Sequence, residues 1–167
     1  KHAGDHNLRV TLQAIRLNGP VSRAELAEIT GLTPQTIAYI SKKLIARGLA
    51  IEAGRRRGYR GQPATEIVIN PDGGYSIGVN IDRDHLTVIL IDLSGVVRAR
   101  KHVEKNFCLP DEAFAWIEDA YHDVLKENKL SKEDLTGVGL AIPFKLGYRR
   151  LSQTPESFAA WQDYPAS

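Results

Sequence analysis

The sequence contains no methionine and a single cysteine, Cys108, among 167 residues. One cysteine excludes an internal disulfide, and a lone thiol in a reducing compartment is expected to serve packing. The chain begins with Lys1, so its first residue is not an initiator, and a start inside a longer protein is expected. No apolar run approaches the ~20 residues that a membrane-crossing helix needs. The opening Lys1-His2-Ala3-Gly4-Asp5 lacks the apolar stretch of a secretory leader. A cytoplasmic protein without a membrane partner is the expectation. His2, His6, His85, His102 and His122 are scattered, and no Cys/His grouping has metal-ligand spacing. Each histidine reads as solvated or packed.

What is present suits a globular protein: 43% hydrophobic and 25% charged residues. The net charge of +2 conceals an asymmetry. Residues 1–70 hold 11 Lys+Arg against 5 Asp+Glu, a net of +6, whereas residues 71–167 hold 11 against 15, a net of −4. A basic front and an acidic back suggest two modules with different partners.

In the front half, Leu8, Leu12 and Ile15 repeat at helical spacing and predict a helix over 6–17, stopped by Asn18-Gly19-Pro20. Ser22 and Glu25 form an S-x-x-E capping box that opens a second helix, with Ala24, Leu26, Ala27 and Ile29 as its packing face. Gly31 supplies a tight turn. Thr33 and Pro34 then have the N-cap and first-position chemistry of a third helix, whose buried stripe is Ile37, Ile40 and Leu44, and Gly48 closes it. Residues 49–53 and 65–69 read as two strands around a loop rich in Gly and Arg over 54–63. Three helices, a Gly turn before the third, then a hairpin: this order is the winged helix-turn-helix.

Such a third helix presents a polar face to the major groove of duplex DNA. Here that face holds Gln35, Thr36, Tyr39, Lys42 and Lys43. Gln35 can pair bidentately with adenine and Thr36 can touch a thymine methyl or a phosphate. Lys42 and Lys43 are both expected on phosphates, as is Thr33 with the helix N-terminus. Arg55, Arg56, Arg57 and Arg60 are expected at the hairpin tip, where four guanidiniums repel one another unless an anion such as DNA phosphate lies near. A solvated loop and helix face would explain any one of these residues, but not the whole constellation. RNA or an anionic membrane are the other partners for a basic loop, and the helix order favours duplex DNA.

Residues 70–74 (Asn-Pro-Asp-Gly-Gly) read as a linker. Beyond it, residues 75–81, 86–92 and 96–103 predict three strands. Phe114, Ile117, Tyr121, Val124 and Leu125 predict an amphipathic helix over 111–127, and 136–142 a fourth strand.

Gly61-Gln62-Pro63, Asn70-Pro71, the stretch Gly78–Gly95 and the strand from Gly137 to Pro143 together resemble ROK-family transcriptional regulators. The resemblance runs from about Leu8 to Pro143. It implies an α+β chain: a winged helix-turn-helix over 1–70, a linker at 71–74, and over 75–167 part of a sugar-kinase-like lobe of the actin/hexokinase (ribonuclease H-like) type. It implies a repressor of carbohydrate genes that responds to a sugar or sugar phosphate and binds a DNA operator as a homodimer. Where the family's wing reads G-R-P, this chain has Gln62, so Arg60 is expected to stand in for the arginine.

Kinases of the family carry D-x-G-G-T to cradle ATP phosphates, and the matching stretch here is Asn80-Ile81-Asp82-Arg83-Asp84. Both glycines are gone and two carboxylates stand in the turn, which opposes phosphate binding. An ordinary hairpin turn and a chain without phosphoryl-transfer activity are expected. The alternative is a ROK-type sugar kinase with a basic N-terminal extension, and a third reading is a DNA-binding protein without sugar sensing. The family's sugar-binding residues and zinc-binding His/Cys cluster have no counterpart here, so no cofactor is expected within this chain. The remainder of the lobe would hold zinc, effector and most dimer contacts.

Overall fold

The computed structural model describes residues 2–56, 64–142 and 160–161. They form two compact units: Lys1–Gly74 with Asp92–Val96, and Tyr75–Ile91 with Val97–Ser167. No helix among the described residues is long and apolar enough to cross a membrane.

In the first unit the order is α1 (His2–Asn18), β1 (Val21–Ser22), α2 (Arg23–Thr30), α3 (Pro34–Ala46), β2 (Ala50–Arg56) and β3 (Ala64–Ile69). Local chemistry sets the boundaries. The Glu25 N–H donates to Ser22 Oγ at 3.3 Å and the Ser22 N–H to Glu25 Oε2 at 2.8 Å, so the capping box forms as its spacing predicts. Gly31 takes φ 68°, which a Cβ would disfavour, and its N–H closes α2 on the Ala27 carbonyl. The apolar core joins Ala14 and Ile15 of α1, Leu26 of α2, Ile37, Ile40 and Leu44 of α3, and Val21, Ala50 and Ile67 of the sheet.

Three details differ from the sequence expectation. Helix α1 begins four residues earlier. Ala24 and Ile29 of α2 face solvent, Ile29 at 50% exposure, so Leu26 and Ala27 alone supply the packing face. The hairpin also gains a third strand: Val21 and Ser22 pair antiparallel with Ile67 and Glu66, giving the order β1-β3-β2.

Pro71–Gly73 form a single 3-10 turn. Asn70 anchors it, accepting the Asp72 N–H through Oδ1 and donating Nδ2 to the Gly48 carbonyl at 2.6 Å. A Cβ on Gly73 would sit 2.6 Å from that same carbonyl oxygen, so close packing, not backbone conformation, demands glycine there.

The second unit contains β4 (Tyr75–Ile81), β5 (His85–Asp92), β6 (Val97–Glu104), α4 (Pro110–Glu127) and β7 (Leu135–Ala141). Its sheet runs β6-β5-β4-β7, with β5 and β6 antiparallel and β7 parallel to β4. Alternation along β4 and β5 buries Ile77, Val79, Ile81, Leu86, Val88 and Leu90, with Ala113, Ala120 and Val124 of α4 in the same core. Mixed helix and sheet behind a winged helix-turn-helix is the expected α+β class.

Candidate nucleic-acid interface

Helix α3 is fixed at its start by Thr33, whose Oγ1 accepts the Thr36 N–H at 3.3 Å and lies 2.9 Å from Thr36 Oγ1. The Thr33 and Thr36 hydroxyls therefore hold each other at the cap. Ile37, Ile40, Ser41 and Leu44 turn inward and are buried. Gln35, Ala38, Tyr39, Lys42 and Ala46 are exposed, and Thr36 and Lys43 lie half-buried at the flank. Tyr39 is 68% exposed, an aromatic ring held out on an otherwise polar face.

The charge of this region is one-sided. No acidic residue occurs between Glu28 and Glu52. Neither Lys42 nor Lys43 forms an ion pair among the described residues. Arg47, at the C-cap of α3 and exposed, extends the basic surface. Sequence reasoning passed over Arg47 because it lies beyond the stripe it traced, and Ala38 because it carries no polar group.

The hairpin departs from expectation in one respect. Arg55 and Arg56 are not at its tip. They lie in β2, opposite Thr65 and Ala64, because a bulge at Ala53, between Glu52 and Gly54, lets the strand continue with Gly54 paired to Glu66. Arg57, Arg60 and Gln62 lie outside the described residues. Arg23, the first residue of α2, donates Nη2 to Glu52 Oε1 at 3.0 Å and ties the helix-turn-helix to β2.

The second unit holds the other candidate, the turn after β4. Asp82 Oδ1 accepts the Arg83 N–H at 2.7 Å, and the Asp82 N–H donates to the His85 carbonyl at 2.9 Å. Asp84 Oδ1 lies 2.6 Å from His85 Nδ1. The Arg83 and Asp84 carbonyls accept the N–H groups of Phe107 and Lys105. The turn is an internally bonded hairpin, and the Arg83 N–H already has a carboxylate partner.

His85 and His102, far apart in sequence, meet across β5 and β6 with ring centroids 5.3 Å apart. His102 bonds to Thr87 through Nδ1 at 2.8 Å and to Glu104 through Nε2 at 2.9 Å. No group of three or more His, Cys, Asp or Glu side chains among the described residues could hold a metal ion.

Cys108 is buried, as a packing role requires, at 4% exposure. Burial pushes its thiol above the ordinary range, and nearby Lys105 offsets part of that shift.

A winged helix whose outer α3 face is polar and basic defines a class, and residues 5–50 match the family model described as winged helix-turn-helix DNA-binding. The chain is also similar to whole regulators. It is 29% identical to the xylose repressor of Bacillus subtilis over 160 residues, covering 94% of this chain and 41% of that protein. It is 34% identical over 102 residues to the DNA-binding transcriptional dual regulator NagC of Escherichia coli, covering 61% of this chain and 24% of NagC. A crystal structure of a ROK family transcriptional regulator, a homologue of the E. coli MLC protein, shares the fold with a TM-score of 0.62 at 23% identity, covering 86% of this chain and 36% of that one. The chain thus spans about two fifths of the xylose repressor's length. The resemblance to ROK-family transcriptional regulators is borne out.

Proposed function

We propose that this chain is the DNA-binding end of a transcriptional repressor of sugar-metabolism genes. The observation that carries the reading is the outer face of α3. It is exposed, polar and basic, it sits on a winged helix-turn-helix, and no carboxylate of its own helix neutralises it. Gln35 serves base reading near the helix N-terminus, with Thr33, Thr36 and Tyr39 beside it. Lys43 and the arginines Arg55, Arg56, Arg57 and Arg60 supply phosphate affinity, and Gln62 offers a hydrogen bond to a base edge.

Relatives named for xylose and N-acetylglucosamine support a sugar or sugar phosphate as effector of the whole protein. A homodimer on paired half-sites in the cytoplasm follows from the logic of such regulators. Phosphoryl transfer has no support. The turn at 82–84 spends its groups on internal hydrogen bonds, and it lacks the glycines of a phosphate cradle.

The test is selection of bound duplexes from a random DNA pool with the 167-residue chain. Enrichment of one motif is the expected outcome. A pool that stays random after repeated rounds contradicts the reading.

A further inference from the structure

Lys42 and Lys43 are neighbours in sequence, and on the sequence alone both belong to phosphates. The structure separates them. Successive residues of an α-helix are rotated by about 100°, so two adjacent lysines point in very different directions. The buried residues Ile37, Ile40, Ser41 and Leu44 define the inward side of α3. Counting about 100° per residue from their mean direction, Gln35, Tyr39, Lys42 and Ala46 fall within roughly 30° of the direct outward line, and Lys43 falls about 70° to one side. Burial agrees: Gln35, Lys42 and Ala46 are exposed, and Lys43 is half-buried.

The neighbours of Lys42 point the same way. One turn before it stands Ala38 and one turn after it Ala46, both exposed. The alanines on either side leave the lysine stem unobstructed along its own row, and the exposed ring of Tyr39 stands on the next row beside it. Lys42 has no ion-pair partner among the described residues. A helix that enters the major groove with its outward line toward the bases carries Lys42 to the base edges and Lys43 to the groove wall, where the phosphates are.

We infer that Lys42 is a second base-reading residue of α3, selecting guanine, and that Lys43 is the phosphate contact. An ammonium offers only donors, and guanine presents two adjacent acceptors, N7 and O6, in the major groove. Gln35 and Lys42 are seven residues apart, a rise of about 10.5 Å, or roughly three base steps. The operator half-site then contains a guanine about three base pairs from the adenine that Gln35 reads. This inference rests on the DNA-binding reading above.

The experiment uses the duplex selected by the wild-type chain, with each guanine replaced in turn by 7-deazaguanine. That base keeps its pairing and loses N7. Lys42→Ala and Lys43→Ala keep the helix, because both positions are at least partly exposed and alanine is a strong helix former. At one guanine, the wild type and Lys43→Ala are expected to lose affinity by roughly 5-fold or more on deaza substitution, and Lys42→Ala to lose none. Lys43→Ala is expected to lower the salt slope by about 0.9. A Lys42→Ala variant as sensitive as wild type, a Lys43→Ala variant that loses the sensitivity, or a motif without such a guanine overturns the inference and leaves the DNA-binding reading standing. Failure to select any motif overturns that reading instead.

Discussion

Two amphipathic helices, α3 and α4, are built on the same plan and do different things with charge. Each turns an apolar stripe inward. The outer face of α3 is basic, and its lysines find no carboxylate among the described residues. The outer face of α4 is acidic, and strand β6 and the loop after it answer it. Lys101 lies 2.5 Å from Glu127 and 3.8 Å from Asp123, and Lys105 lies 3.1 Å from Glu112. Three of the six α4 carboxylates, Glu112, Asp123 and Glu127, thus find a cation of their own chain among the described residues. The charge on α3 is left for a partner. Internal pairing, more than charge density, separates a structural face from a binding face.

The largest expected effect comes from the shared feature, the buried stripe. Leu44 is fully buried at the centre of the α3 inner face. Leu44→Ala is expected to cost about 2–5 kcal/mol in urea denaturation, because the cavity relaxes only partly. A cost near zero would mean that α3 is not held by its core. Next come the arginines of the hairpin sequence. Replacing Arg55, Arg56 and Arg57 with Ala is expected to weaken all duplexes alike and reduce the salt slope by roughly 2.7, three phosphates' worth. Gln35→Ala should instead relax discrimination at one base pair by about 1–3 kcal/mol, measured against single-substitution duplexes.

Smaller effects sharpen the contrast. Lys101→Ala and Glu112→Gln on the α4 side should leave DNA binding and its salt slope unchanged and cause a small, salt-sensitive loss of stability. The hydrogen bond to Glu127 raises the Lys101 pKa above its ordinary 10.5. Its contribution is therefore complete below that value and is lost as the pH rises through the raised one. The hydrogen bond from Lys105 lowers the Glu112 pKa below its ordinary 4.5, so that contribution is complete above this value and is lost as the pH falls through the lowered one. Chemical denaturation should find both differences flat between about pH 5 and 10.

The smallest effect concerns Ser41, whose buried hydroxyl has no hydrogen-bond partner among the described residues. Ser41→Ala should raise stability or leave it within about 1 kcal/mol, because a desolvated hydroxyl is removed. A loss well beyond that would show the hydroxyl to be bonded.

What could be read in advance follows the range of the interaction. Ser22 with Glu25, Thr33 with Pro34, and Gly31 all act within a few residues, and each boundary they announce is where the structure puts it. The strands of the second unit were legible from alternation, within a residue or so at their ends. The pairing of Val21 with Ile67 was not, because two residues make no pattern and their partner is 46 positions away. Arg55 and Arg56 were misplaced because Gly54 looks like the end of a strand, and only the pairing partner reveals a bulge. The meeting of His85 with His102 depends on cross-strand register, which alternation does not specify. At the candidate site, residue types were legible, but the different directions of Lys42 and Lys43 required knowing which side of α3 is buried.

The most direct measurement is equilibrium binding of the chain to its selected duplex and to a scrambled duplex of equal composition, over a range of salt. The expected result is a preference of more than about tenfold for the selected sequence that persists when salt weakens both complexes. Equal affinity for the two duplexes at every salt concentration would contradict it.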